Sequence, residues 1–70
     1  MNQNQMILNH LRQHGSITAL EAQQEYGIMR LSARIADLRS SGISIASGRQ
    51  TSRNRWGIKT TYAKYTLIGE

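Results

Sequence analysis

Between Gln3 and His14 the apolar residues Ile7, Leu8 and Leu11 fall on one side of a 3.6-residue period, and Gly15 follows where helices favour a glycine. This pattern predicts a first helix over residues 3–14. Thr18-Ala-Leu-Glu21 has the spacing of a capping box, in which the threonine hydroxyl accepts a backbone N–H and the glutamate reaches back to the cap. A second helix is expected from there to about Tyr26, with Ala19, Leu20 and Tyr26 as its apolar stripe and Gln23 interrupting that stripe. After a turn at Gly27-Ile28, Leu31, Ile35 and Leu38 recur at i, i+4 and i+7 up to Gly42, the clearest helical period in the chain. The third helix is expected over residues 30–41.

Beyond Gly42 the period changes to two. Ile43 and Ile45 alternate with serines, and Ala63, Tyr65 and Leu67 alternate with Tyr62, Lys64 and Thr66, which predicts two strands. Pairing Ile43 with Leu67 and Ile45 with Tyr65 sets the apex of a hairpin near Arg55, with Arg53-Asn-Arg-Trp-Gly57 as its tip. Past Ser47 this hairpin has almost nothing apolar to bury except Trp56 and Ile58, so it is expected to project as an arm. Two helices joined by a short turn, the second strongly amphipathic, followed by a two-stranded antiparallel hairpin, describe a winged helix-turn-helix of the α+β class.

Seventy residues hold one domain, residues 1–70, whose core is small because folding at this size hides only about 60% of the chain's surface. With 39% hydrophobic and 19% charged residues the composition is that of a folded globular domain, and with no cysteine neither a disulfide framework nor a thiolate metal site is available. The apolar runs are too short for a membrane span or a signal-peptide core, so a soluble intracellular protein with no membrane partner is expected.

The formal net charge of +5 is unevenly spread. Residues 1–48 hold Arg12, Arg30, Arg34 and Arg39 against Glu21, Glu25 and Asp37, whereas residues 49–69 hold Arg49, Arg53, Arg55, Lys59 and Lys64 with no acid. A one-sign patch on an arm costs self-repulsion that a mixed-sign edge avoids, and it points to a polyanion. If Leu31, Ile35 and Leu38 face the core, the opposite face of the third helix presents Arg30, Ala33, Ala36, Asp37 and Ser40, with Arg34 at its flank. Alanine and serine let a helix approach base edges in the roughly 12 Å major groove, and an arginine near the helix start can donate twice to guanine. Arg30 is the leading candidate for that contact. Arg34 can instead pair with Asp37 one turn on, and the charges of this face also fit plain solvation. Trp56 either wedges into a groove or lies across Ile58 or a neighbouring arginine stem.

Other chemistry finds little support. His10 and His14 have the i, i+4 spacing of two metal ligands, but nothing completes a site, and a pair at the surface and margin of the core is the expected reading. Glu21 and Glu25 share one helix without a pocket to tune them. No phosphate loop, nucleophile elbow or carboxylate dyad appears. Neither a catalytic activity nor a cofactor is expected.

Gly15-Ser-Ile-Thr18, Leu20-Glu-Ala22, Gly27-Ile28, Arg30-Leu-Ser-Ala-Arg-Ile-Ala-Asp-Leu-Arg39, Arg53-Asn-Arg-Trp-Gly57 and Tyr65-Thr-Leu67 together resemble the small winged helix-turn-helix proteins of bacteriophages and prophages, over roughly residues 3–68. The resemblance implies a DNA-binding fold in a phage-derived regulator of the host cytoplasm and nucleoid, with Arg30 and Arg34 on the recognition helix and Arg53 and Arg55 in the wing. The chain departs from the family pattern at Met29, where a threonine usually caps the third helix, and at Gln23, usually apolar.

Two functional readings follow. In the first, the third helix specifies duplex DNA and the basic segment 49–64 anchors on phosphates or the minor groove, in control of transcription or site-specific recombination. Self-association on DNA is compatible with so short a domain. In the second, the domain is a protein-interaction module, an inhibitor or antirepressor whose basic arm grips an acidic protein. RNA ranks behind both, because exposed stacking aromatics are few.

Overall fold

A computed structural model describes residues 2–70. The elements run α1 (Gln3–His14), β1 (Ser16–Thr18), α2 (Ala19–Tyr26), α3 (Leu31–Ser40), β2 (Ser44–Arg53) and β3 (Lys59–Gly69). Three helices cover one face of a three-stranded antiparallel sheet of order β1-β3-β2. The expected α+β body and arm are present, but the sheet is three-stranded, not a two-stranded hairpin. The added strand is Ser16-Ile-Thr18, which pairs with β3 as Ser16↔Thr66, Ile17↔Tyr65 and Thr18↔Lys64. Three residues are too few to display a period of two, and a single isoleucine reads as loop.

Local chemistry accounts for the helix ends. Asn2 caps α1, its side chain accepting from the Gln5 N–H while the Gln5 side chain accepts from the Asn2 N–H. Thr18 and Glu21 form the expected capping box at α2, at 3.2 and 2.9 Å. Gly27 ends α2 with φ +68°, a left-handed conformation that glycine adopts without steric cost, and the Ile28 N–H then folds back on the Ala22 carbonyl at 3.1 Å. That reversal drops Ile28 into the core. The α3 start differs. Arg30 stands at its N-cap without a side-chain cap bond, and Met29 is 73% exposed, so burial of Leu31 holds the turn in place of a hydroxyl cap.

The core consists of Ile7, Leu11, Ile17, Ala22, Ile28, Leu31, Ile35, Leu38 and Ile45, with Leu8, Tyr26, Ile43, Tyr65 and Leu67 packed against it. On α2 the buried line is Ala22 with half-buried Tyr26 one turn on; Ala19 is exposed and Leu20 is 62% exposed. The expected stripe was therefore out of phase by one position at its start, because on so short a helix Leu20 outweighs a buried alanine in any hydrophobic pattern. Gln23 is exposed and interrupts nothing.

The long hairpin pairs Ile45↔Leu67 and Ser47↔Tyr65 and continues to Arg53↔Lys59, two residues out of the expected register. An even shift preserves which side chains share a face, so the alternation holds while the partners change. The shift moves the loop from 53–57 to 54–58. From Ser47 to Arg53 the ladder extends roughly 20 Å at about 3.3 Å per residue. The molecule measures 41 × 22 × 20 Å, and its radius of gyration of 12.6 Å exceeds the roughly 11 Å of a compact domain of this length.

Candidate nucleic-acid interface

In an antiparallel pair the residues directly opposite one another share a face, and the register thereby sorts the arm's cations. Ile45, Ser47, Arg49, Thr51 and Arg53 line up with Leu67, Tyr65, Ala63, Thr61 and Lys59 on the face that carries the core and the helices. The 3.4 Å contact between the Thr51 and Thr61 hydroxyls lies on this face. Lys64 lies on the opposite face with Gln50 and Tyr62, whose hydroxyl donates to Gln50 Oε1 at 3.2 Å. Arg49, Arg53 and Lys59 therefore form a row on the α3 side, and Lys64 stands apart from it. None of the four has an acidic partner among the described residues.

Arg55 and Trp56 occupy the tip. The Arg55 guanidinium sits 4.7 Å from the centre of the Trp56 ring, and the indole remains 72% exposed. The arginine thus lies across one face of the indole, and the rest of the ring is in solvent.

On α3 the exposed surface is built from Arg30, Ser32, Ala36, Asp37 and Ser40, with half-buried Ala33 between them. The Arg30 carbonyl accepts from the Ala33 and Arg34 N–H groups, but its side chain has no hydrogen bond or ion pair among the described residues. Arg34 is tethered instead. Its Nη2 lies 3.2 Å from Asp37 Oδ2 and its Nη1 donates to Gln3 Oε1 of α1 at 3.0 Å, so the alternative of an Arg34–Asp37 pair is realised. The first turn of α3, without a capping side chain, leaves N–H donors beside Arg30 that suit an anionic oxygen.

Three features escaped sequence reasoning. Arg39 is not a free surface charge: its Nε and Nη2 donate to the Ile45 carbonyl at 3.1 and 2.7 Å, and Nη2 reaches Ser47 Oγ at 3.4 Å. Ser32 is exposed beside Arg30, where an uncapped helix start was the only signal. Glu70, which offsets the arm's charge in any count, pairs with Arg12 of α1, whose Nε donates to its two oxygens at 3.0 and 2.9 Å. That hydrogen bonding holds the Glu70 carboxyl below its ordinary range.

The histidines belong to the body. His10 is 5% exposed, with Nδ1 2.7 Å from the Tyr26 hydroxyl and its ring 4.6 Å from that of His14. It is deeper than a margin-of-core position, and no cluster of three metal-ligating residues occurs among the described residues. Burial first, then the charges of Glu25 and Glu21, raise the pKa of Tyr26 and keep its hydroxyl protonated. Among the described residues no helix is long and apolar enough to cross a membrane.

A family model described as a winged helix-turn-helix domain matches residues 2–70. The chain belongs to that family. No curated protein and no solved structure matches it. In winged helix-turn-helix terms, α2 and α3 are the helix-turn-helix, α3 is the recognition helix, and β2 with β3 is the wing. The wing of this winged helix-turn-helix domain carries three of its free cations, Arg49, Arg53 and Lys59, on the side where α3 lies.

Proposed function

We propose that this protein binds duplex DNA in a sequence-specific manner, as a phage- or prophage-derived regulator of transcription or site-specific recombination. One observation carries the reading: a recognition helix with a small, polar exposed face and an unpaired Arg30 lies on the same side of the sheet as an acid-free row of Arg49, Arg53 and Lys59. The helix enters the major groove, where Arg30, at the uncapped start, meets a guanine edge or the adjacent phosphate. Ala33, Ala36 and Ser40 allow close approach. The wing follows the backbone away from the helix. Its reach of roughly 20 Å exceeds the ~17 Å half-turn that separates neighbouring grooves along one face of B-DNA.

Selection of bound duplexes from a random pool, followed by a salt titration on the winner, tests this reading. With about six phosphates neutralised, log affinity should fall with log salt at a slope of about −5. A slope near zero, or no enrichment at low salt together with capture of a defined acidic protein, would overturn it.

A further inference from the structure

The wing tip holds two large apolar side chains that the core does not use. Trp56 and Ile58 are 72% and 61% exposed, and neither touches the core cluster. Their setting is nevertheless well hydrogen-bonded. The Asn54 Oδ1 accepts from the N–H groups of Trp56 and Ile58 at 2.9 and 3.1 Å, the Asn54 N–H donates to the Ile58 carbonyl at 3.1 Å, and the Gly57 N–H donates to the Asn54 carbonyl at 3.0 Å. Gly57 has φ +77°, which closes the loop in a conformation that glycine tolerates best. The loop's backbone is thus bonded inward on Asn54, and Arg55, Trp56 and Ile58 are left to the outside. An apolar head of this kind, held at the end of a charged arm, is not needed for folding and exposes apolar surface to water.

Resting on the DNA reading, we propose that the tip is an apolar wedge for the minor groove of duplex DNA, so that binding bends the duplex. The surrounding charge selects this occupant. Arg53 and Lys59 flank the loop at its last ladder pair, Arg55 stacks on one face of the indole, and residues 49–69 contain no acid. An indole is thin enough to enter a groove about 6 Å wide edge-first, and stacking by Arg55 leaves the other ring face free for a sugar or base. Apolar side chains pressed between base steps kink duplexes by about 20–90° toward the major groove. The step entered should be a flexible pyrimidine–purine one, which gives the protein a preference at positions that make no hydrogen bond to it.

Trp56 is the single tryptophan of the chain, so fluorescence excited at wavelengths that tyrosine does not absorb reports on the tip alone. The experiment measures acrylamide quenching of the full chain with and without a selected duplex, and energy transfer between dyes on the duplex ends. Binding should protect Trp56 severalfold and shorten the end-to-end distance. Trp56→Phe should keep the bend, whereas Trp56→Ala with Ile58→Ala should bind with the same salt slope and leave the duplex straight. Unchanged quenching in a complex seen by anisotropy would leave the tip facing outward, free for a protein surface, and would overturn the wedge. Equal bending by the double variant would do the same. A wild-type chain that binds no duplex at all would instead remove the DNA reading on which the wedge depends.

Discussion

Arg39 of the recognition helix holds the Ile45 carbonyl of the wing's first strand with two donors of one guanidinium, at 3.1 and 2.7 Å. Its Nη2 also reaches Ser47 Oγ, so the end of the helix and the root of the arm are joined by one planar group. Backbone bonds from the Gly42 N–H to the Arg39 carbonyl at 3.0 Å and from the Ile43 N–H to the Leu38 carbonyl at 3.2 Å lie in the same junction. An arm of roughly 20 Å magnifies any change of angle at its root, where the Arg39 contact lies.

Replacing Arg39 by lysine should therefore weaken DNA binding without changing the number of phosphates met. A lysine keeps the charge but cannot form the fork. The expected outcome is a loss of stability of about 1–3 kcal/mol, lower affinity at every salt concentration and an unaltered salt slope. Anisotropy titrations at several salt concentrations, alongside thermal unfolding, check this. A slope shallower by about one would show instead that Arg39 meets a phosphate.

Arg30 and Arg34 should separate cleanly. Arg30→Ala removes a side chain with no partner in the free protein, so the fold should keep its Tm while discrimination at one base pair falls by about 1–3 kcal/mol. Arg34→Ala breaks the contacts to Asp37 and Gln3 and should lower the Tm modestly, with little change in sequence preference. Selection profiles and melting curves of the two variants are the measurements.

The same pair of arginines shows how far sequence reasoning reaches. The three helices and the long strands were legible because Ile7, Leu11, Leu31, Ile35, Leu38 and Ile45 fall on strong periods, and the Thr18–Glu21 box announces its helix. Ile17 and Ile28 are fully or almost fully buried, yet Ile17 is the lone apolar residue of a three-residue strand and Ile28 lies in a turn, so no period exists to reveal them. The hairpin register slipped by two because any even shift satisfies the alternation, and only the packing of Ile45 against the helices decides among them. At the interface, the alternation that groups Lys64 with Tyr62 and Thr66 already sets it on the face away from Arg49, and an even register shift keeps it there. Whether Arg34 is free was not legible, because it depends on a glutamine thirty-one positions away.

Ile17 tests the third strand. It is completely buried and pairs with Tyr65, so β1 is tied to the core through this one side chain. Ile17→Ala should cost about 2–5 kcal/mol, a large share of the roughly 4–10 kcal/mol expected for a domain of this length. Ile17→Val should cost about 0.5–1.5 kcal/mol and leave a folded protein. Denaturant titrations of the two variants decide, and a near-neutral Ile17→Ala would mean that β1 contributes little.

The Arg12–Glu70 pair predicts a pH dependence with a definite sign. Hydrogen bonding to Arg12 lowers the Glu70 pKa in the folded state, so the pair's stabilisation is present above the ordinary carboxylate pKa and is lost as pH falls through the lowered one. Arg12, raised by the same contact, stays charged throughout. Both side chains are exposed, so the effect should be small. The Tm difference between wild type and Glu70→Gln should shrink on going from neutral to strongly acid pH. A difference that grows on acidification would contradict the pairing.

The two faces of the wing make the sharpest distinction among its cations. Arg49, Arg53 and Lys59 share the face that carries the recognition helix, and Lys64 points from the other face beside Tyr62. A duplex docked on α3 can meet the first three together, and reaching Lys64 as well would require it to wrap around the arm's edge. Changing Arg49, Arg53 or Lys59 to glutamine should each flatten the salt slope by about 0.9 and weaken all sequences alike, in contrast to the base-specific loss at Arg30. Lys64→Gln should leave the slope where it was. If Lys64→Gln flattens the slope as much as Arg49→Gln does, the duplex lies across both faces, and the wing is gripped edge-on rather than by the side it shares with the helix.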